Sequence, residues 1–231
     1  MNSIIDRPKI SRRARLSNLA SMGGLLILLA SVLLPLVFPR LVGISGWMMF
    51  AGLGISMLGI YYANRWVKKP RPEDSLDKAL KSLNNHHSLY HYPAFPCDHI
   101  LLTPGAVVVI ETVNLEGLFS YKNGRWKEKM TFGRALRSIV EERLGDPIKT
   151  AHGAQQLLRQ RLAQSIHGGE DIPVKSMVVF VHPGAQLDVE GAQIPVLKVD
   201  KLRKKILVKE EKMAPDVYEE VCQYLERLTV K

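Results

Sequence analysis

The 231 residues suffice for one α/β domain and an anchor, but not for two independent folds. Two cysteines, Cys97 and Cys222, exclude a disulfide framework, match no metal-ligand spacing and read as half-buried thiols of a reducing compartment. The formal net charge of +10 is weak evidence for nucleic-acid binding, because +8 of it lies in two short segments, 1–15 and 65–71: from residue 72 onward 22 Lys/Arg face 21 Asp/Glu.

The first such segment is residues 1–15, a basic N-terminal tail with Arg7, Lys9, Arg12, Arg13 and Arg15 against Asp6. Two charge-free stretches of 24 residues follow, Leu16–Pro39 and Leu41–Asn64, parted only by Arg40. At 1.5 Å per residue each reaches about 36 Å, more than a hydrocarbon core of roughly 30 Å requires. Residues 16–64 therefore read as a transmembrane helical hairpin, with spans at about 18–38 and 43–63. Pro35 falls late in the first span, where a kink is tolerated. Trp47 at one end of the second span, and Tyr61, Tyr62 and Trp66 at the other, suit the two interfaces. A cleaved signal peptide fits poorly, since the apolar stretch is long and leads into a second one. Residues 65–72 form a basic linker with Arg65, Lys68, Lys69 and Arg71. With basic residues flanking both outer ends, the positive-inside rule places both termini and the following domain in the cytoplasm, at the cell membrane.

Residues 73–231 read as the soluble domain. Apolar positions 76, 79, 80 and 83 share one face of a helix over 75–83. Strands are expected at 89–92, 97–103 and 106–113, the last two punctuated by Pro104-Gly105. A hairpin turns at Asn123-Gly124 between 118–121 and 125–126. Helices follow at about 132–143 and from Asp146-Pro147, a capping acid with proline at the first helical position. Strands at 174–181 and 196–199, then helices at 201–208 and 215–228, complete a mixed β-sheet flanked by helices.

Two acids interrupt the hydrophobic strands. In a hairpin centred between Pro104 and Gly105, facing positions sum to 209, and Asp98 and Glu111 do so. Carboxylates opposed within about 5 Å repel unless a cation or proton lies between them, and such a pair suits Mg²⁺ or Mn²⁺. Strand-end acids meeting water or an arginine are an equally open reading. His86, His87 and His91 near Cys97 fit no zinc pattern and read as loop imidazoles exposed to solvent. Trp126 and Phe132 read as core filling before base stacking.

Several of these residues carry a resemblance. The run Asp98-His99-Ile100-Leu101-Leu102-Thr103-Pro104-Gly105, the strand ending in Glu111-Thr112-Val113, then Asn114, Gly117 and Gly124-Arg125-Trp126, resembles the nuclease-related domain (NERD) family over about 73–199. The resemblance implies a restriction-endonuclease-like fold of the PD-(D/E)xK type, in which Asp98 and Glu111, with Glu73 from the preceding helix, would hold the metal. It also implies a water-activating lysine two residues after the second acid, and a glutamine shortly after an Asn-Pro. This chain has Val113 and Thr150 at those positions, and Asp146 in place of the asparagine.

Three readings follow: a catalytically degenerate descendant, or pseudoenzyme; a Mg-dependent nuclease with a relocated lysine, for which Lys122 and Lys127 are candidates; and a tethered interaction module using helix faces or the basic segment 201–212. The first and third are compatible and together are favoured. The implied partner is the lipid bilayer, nucleic acid is weakly supported, and no protein partner is named by the sequence.

Overall fold

A computed structural model describes residues 1–67, 69–129, 143–208 and 211–230. The chain divides into two compact units. The described residues of one lie in 7–71 together with Arg143; those of the other lie in 1–6, 72–129 and 144–230.

The first unit consists of two long helices, α1 (Arg7–Val37) and α2 (Val42–Trp66), joined by a 3-10 turn at Pro39–Leu41. Both are long and apolar enough to cross a membrane. Their apolar side chains point outward: Leu25, Leu29, Val32, Trp47 and Phe50 are all exposed. The buried positions recur every seven residues, Ile10, Ser17, Gly24 and Ser31 on α1 and Gly52, Gly59 and Trp66 on α2, and all but Ile10 and Trp66 are small. This is the spacing at which antiparallel helices meet along one seam. A Cβ added to Gly24 would meet the Ser56 backbone nitrogen, and would lie 2.7 Å from Ser56 Cα and 2.9 Å from the Gly52 carbonyl oxygen. Glycine is what allows this approach. Near the outer ends, the Arg13 guanidinium lies 4.7 Å from the Trp66 ring centroid.

The second unit is a mixed six-stranded sheet of order β1-β2-β3-β4-β7-β9, with a three-stranded sheet of order β6-β5-β8 beside it. The strands are β1 (Asn2–Ile5), β2 (Ser88–His91), β3 (His99–Leu102), β4 (Val107–Val113), β5 (Gly117–Lys122), β6 (Arg125–Glu128), β7 (Val174–Phe180), β8 (Ala185–Val189) and β9 (Val196–Lys198). The helices are α3 (Pro72–Leu80), α4 (Pro147–Ser165), α5 (Val199–Ile206) and α6 (Pro215–Thr229). The helix expected over 132–143, with Phe132, lies outside the described residues except at its last position.

Strand alternation sorts the core into two layers. Tyr90, Ile100, Leu102, Val107 and Val109 pack against Ala154, Leu158 and Leu162 of α4 and Val221 and Leu225 of α6. Their neighbours Leu89, Leu101, Val108 and Ile110 pack against Leu76 and Leu80 of α3 and Leu202 of α5. The Asn-Gly hairpin forms as expected: Lys122 pairs with Arg125, and Asn123 and Gly124 take φ of 53° and 75°. Asp146 caps α4 by accepting from the Lys149 N–H at 3.1 Å.

One expectation gives way at the N-terminus. Asn2–Ile5 is not a tail but an edge strand, parallel to β2 in the register Asn2–Ser88 to Ile5–His91. Ser3 Oγ donates to Asp77 Oδ2 at 3.1 Å, and Ile4 packs against the core. Four residues with a single aliphatic pair are too short to announce a strand; the exposed edge of β2 supplies the template.

Candidate functional site

β3 and β4 pair antiparallel from His99–Ile110 to Leu102–Val107, so facing positions sum to 209 as the turn required. That register sets Asp98 and Glu111 side by side at the open end of the hairpin, both half-buried. The Thr112 hydroxyl donates to Asp98 Oδ2 at 3.2 Å. Burial pushes the Cys97 thiol far above its ordinary value, and the charges of Asp98 and Glu111 push it the same way. Both carboxylates therefore act on one small region at the strand ends.

Tyr92 extends the row. Its N–H donates to the Asp98 carbonyl at 2.8 Å, continuing the β2–β3 ladder by one residue. Its φ of 50° is left-handed, rare for a tyrosine. The ring lies 5.0 Å from that of His99, and the hydroxyl donates to Glu73 Oε2 at 2.8 Å. Glu73, on the first turn of α3, is only 4% exposed. Glu73 is thus tied through Tyr92 to the strand end that carries Asp98. Composition and periodicity could not point to Tyr92; its role arises from the backbone turn that ends β2.

The imidazoles depart from the expected exposed loop. His87 and His91 are buried and only His86 is exposed. His91 Nδ1 lies 2.8 Å from His99 Nδ1, and His91 Nε2 lies 3.2 Å from Asp77 Oδ1. Both imidazoles are fully buried, so the polar row Asp77–His91–His99 leads from half-buried Asp77 on α3 into the domain. Hydrogen bonds at both ring nitrogens explain the tolerance of burial at His91. Desolvation holds the His87 imidazole below its ordinary value, an effect only partly offset by its bond to Asn84.

The remaining positions fall as follows. Val113 is 7% exposed and belongs to an apolar cluster with Phe119, Phe180, Ile148 and Ala151. Thr150 is exposed, its hydroxyl donating to the Asp146 carbonyl at 3.1 Å. Lys122 holds Asp188 at 3.0 Å and Glu190 at 3.2 Å, and its ammonium is stabilised by those two acids. Lys127 is exposed on β6. Trp126 packs on Tyr121 and Phe180, with ring centroids 5.1 Å and 5.9 Å apart, in keeping with core filling. Cys97 and Cys222 are free and half-buried.

Chemically, Asp98 and Glu111 offer a pair of hard carboxylate donors, a set that suits an ion keeping most of its water. Among the described residues no group of three or more His, Cys, Asp or Glu side chains is arranged to hold a metal.

Two long apolar helices are followed by a helix-flanked mixed sheet with carboxylates at the end of its central hairpin, an α/β domain consistent with the nuclease-related class. Residues 70–181 match the family model described as "Nuclease-related domain", and the chain carries that domain. The match ends one residue after β7, short of the 199 expected from the resemblance. Comparison with curated proteins and with solved structures returns no match.

Proposed function

We propose that this protein is a membrane-anchored, restriction-endonuclease-like domain that has lost nuclease activity and serves as a binding module. The observation that carries this reading is Val113. The residue sharing the strand face of Glu111 is a buried aliphatic side chain packed among Phe119, Phe180 and Ala151. It has no proton to give or take, where general-base chemistry on water needs one. Lys122 does not replace it, being engaged by Asp188 and Glu190 on the three-stranded sheet. Asp98 and Glu111 would still hold Mg²⁺ or Mn²⁺ as a pair, without Glu73, and could orient a phosphate-bearing partner without cleaving it.

The same proposal places both termini and the domain on the cytoplasmic side. The basic flanks support this, and so does β1. A strand that precedes the first span and a sheet that follows the second can pair only on one side of a membrane.

The test is metal-dependent cleavage of single- and double-stranded DNA and RNA by the full chain in detergent. The full chain is needed because a fragment beginning at Glu73 would lack β1. No cleavage is expected from the parent protein. Cleavage abolished by Glu111→Ala would refute the degenerate reading and direct attention to Lys127.

A further inference from the structure

Tyr92 joins two parts of the domain that carry carboxylates. Its N–H donates to the Asp98 carbonyl at 2.8 Å, and its hydroxyl donates to Glu73 Oε2 at 2.8 Å. We propose that Tyr92 is a positioning residue that withholds Glu73 from a metal ion, leaving Asp98 and Glu111 as a weaker, two-carboxylate site. This inference rests on the metal-binding reading of that pair given above.

Glu73 lies on the first turn of α3 and is only 4% exposed. A carboxylate taken that far from water needs donors in place of hydration, and the Tyr92 hydroxyl is one of them. Tyr92 in turn holds a left-handed backbone, with φ of 50°. For a bulky side chain that conformation is costly and persists only where the surroundings hold it. The bonds to Asp98 and Glu73 are such holds, one at the backbone and one at the tip of the ring.

The same bond keeps Glu73 out of the carboxylate pair. Among the described residues no three His, Cys, Asp or Glu side chains are arranged to hold a metal. A hard cation binds more tightly as the number of charged oxygen ligands rises. With Glu73 on the tyrosine hydroxyl, two carboxylates remain for the ion; without that bond, a third donor is set free one tyrosine away from the Asp98 backbone. A tyrosine that instead supported Glu73 as a ligand would strengthen binding, so the two roles differ in sign.

The experiment titrates the full chain in detergent with Mn²⁺, reading the free ion by electron paramagnetic resonance and the fold by near-ultraviolet circular dichroism. Tyr92→Phe, which removes only the hydroxyl, should lower the Kd for Mn²⁺ by roughly tenfold. Tyr92→Asn also lacks the phenol and tolerates a left-handed backbone, so it should act alike and serves if Tyr92→Phe fails to fold. Glu73→Gln in the parent should leave the Kd unchanged, and Tyr92→Phe/Glu73→Gln should return it to the parental value. An unchanged or higher Kd in the folded Tyr92 variants would overturn the proposal. So would a loss on Glu73→Gln as large as that on Glu111→Gln. Parental binding that Glu111→Gln abolishes, but that neither Tyr92 variant tightens, refutes this inference alone. Absence of binding in the parent and in both variants refutes the metal-binding reading with it.

Discussion

Val113→Lys would restore the residue that the nuclease pattern places after Glu111, and the structure predicts that the domain resists it. Val113 is 7% exposed, and the cluster around it (Phe119, Phe180, Ile148, Ala151) is apolar. An ammonium held there without adequate compensation costs about 3–5 kcal/mol at pH 7. For a domain of this size that lowers the melting temperature by roughly 6–20 °C. Burial holds such a lysine below its unfolded value of about 10.4, so the penalty is full below the folded pKa and disappears as pH rises past the unfolded one. Urea titration of the full chain in detergent, followed by near-ultraviolet circular dichroism, should therefore show the gap between variant and parent closing from neutral to alkaline pH. Val113→Met, which keeps an apolar side chain, should lose less than about 1.5 kcal/mol. A loss under about 1 kcal/mol for Val113→Lys, constant with pH, would mean that position 113 reaches water or pairs with Glu111. That result would refute the argument that valine seals the site.

Asp146→Ala removes the cap of α4 and should destabilise the domain by about 1 kcal/mol, measured in the same titration. Gly24→Leu should lower the resistance of the helical unit to unfolding in SDS, whereas Gly23→Leu should not, because a Cβ at Gly23 meets nothing within 4 Å. The half-buried Cys97 thiol is held above its ordinary value of 9.0. Its contribution to stability is thus complete below that value and lost as pH rises above it, so Cys97→Ala should lose less stability than the parent between neutral and strongly alkaline pH. Glu111→Gln should speed alkylation of Cys97 at alkaline pH modestly, since burial, the larger cause of its raised pKa, remains; an unchanged rate would place the Glu111 charge elsewhere.

The sequence alone determined the parts governed by local pattern. Charge-free runs of 24 residues need no partner to declare two long apolar helices. Asn123-Gly124 and Asp146-Pro147 specify a turn and a helix start through backbone conformations that few other residues favour. Pro104-Gly105 fixed the hairpin centre, and with it the register that brings Asp98 beside Glu111.

Tertiary structure decided what depends on a distant neighbour. β1 is a strand because β2 offers an edge, and β8 because it lies parallel to β5; neither four nor five residues carry enough periodicity to predict it. His87 and His91 are buried because Asn84, Asp77 and His99 bond them, partners that hydropathy cannot foresee. Tyr92 reaches Glu73 only through a left-handed backbone turn. Gln155 joins α4 to β7 across 19 residues of chain. A polar side chain is exposed or buried according to whether the fold brings it a partner, and sequence spacing holds no record of that contact.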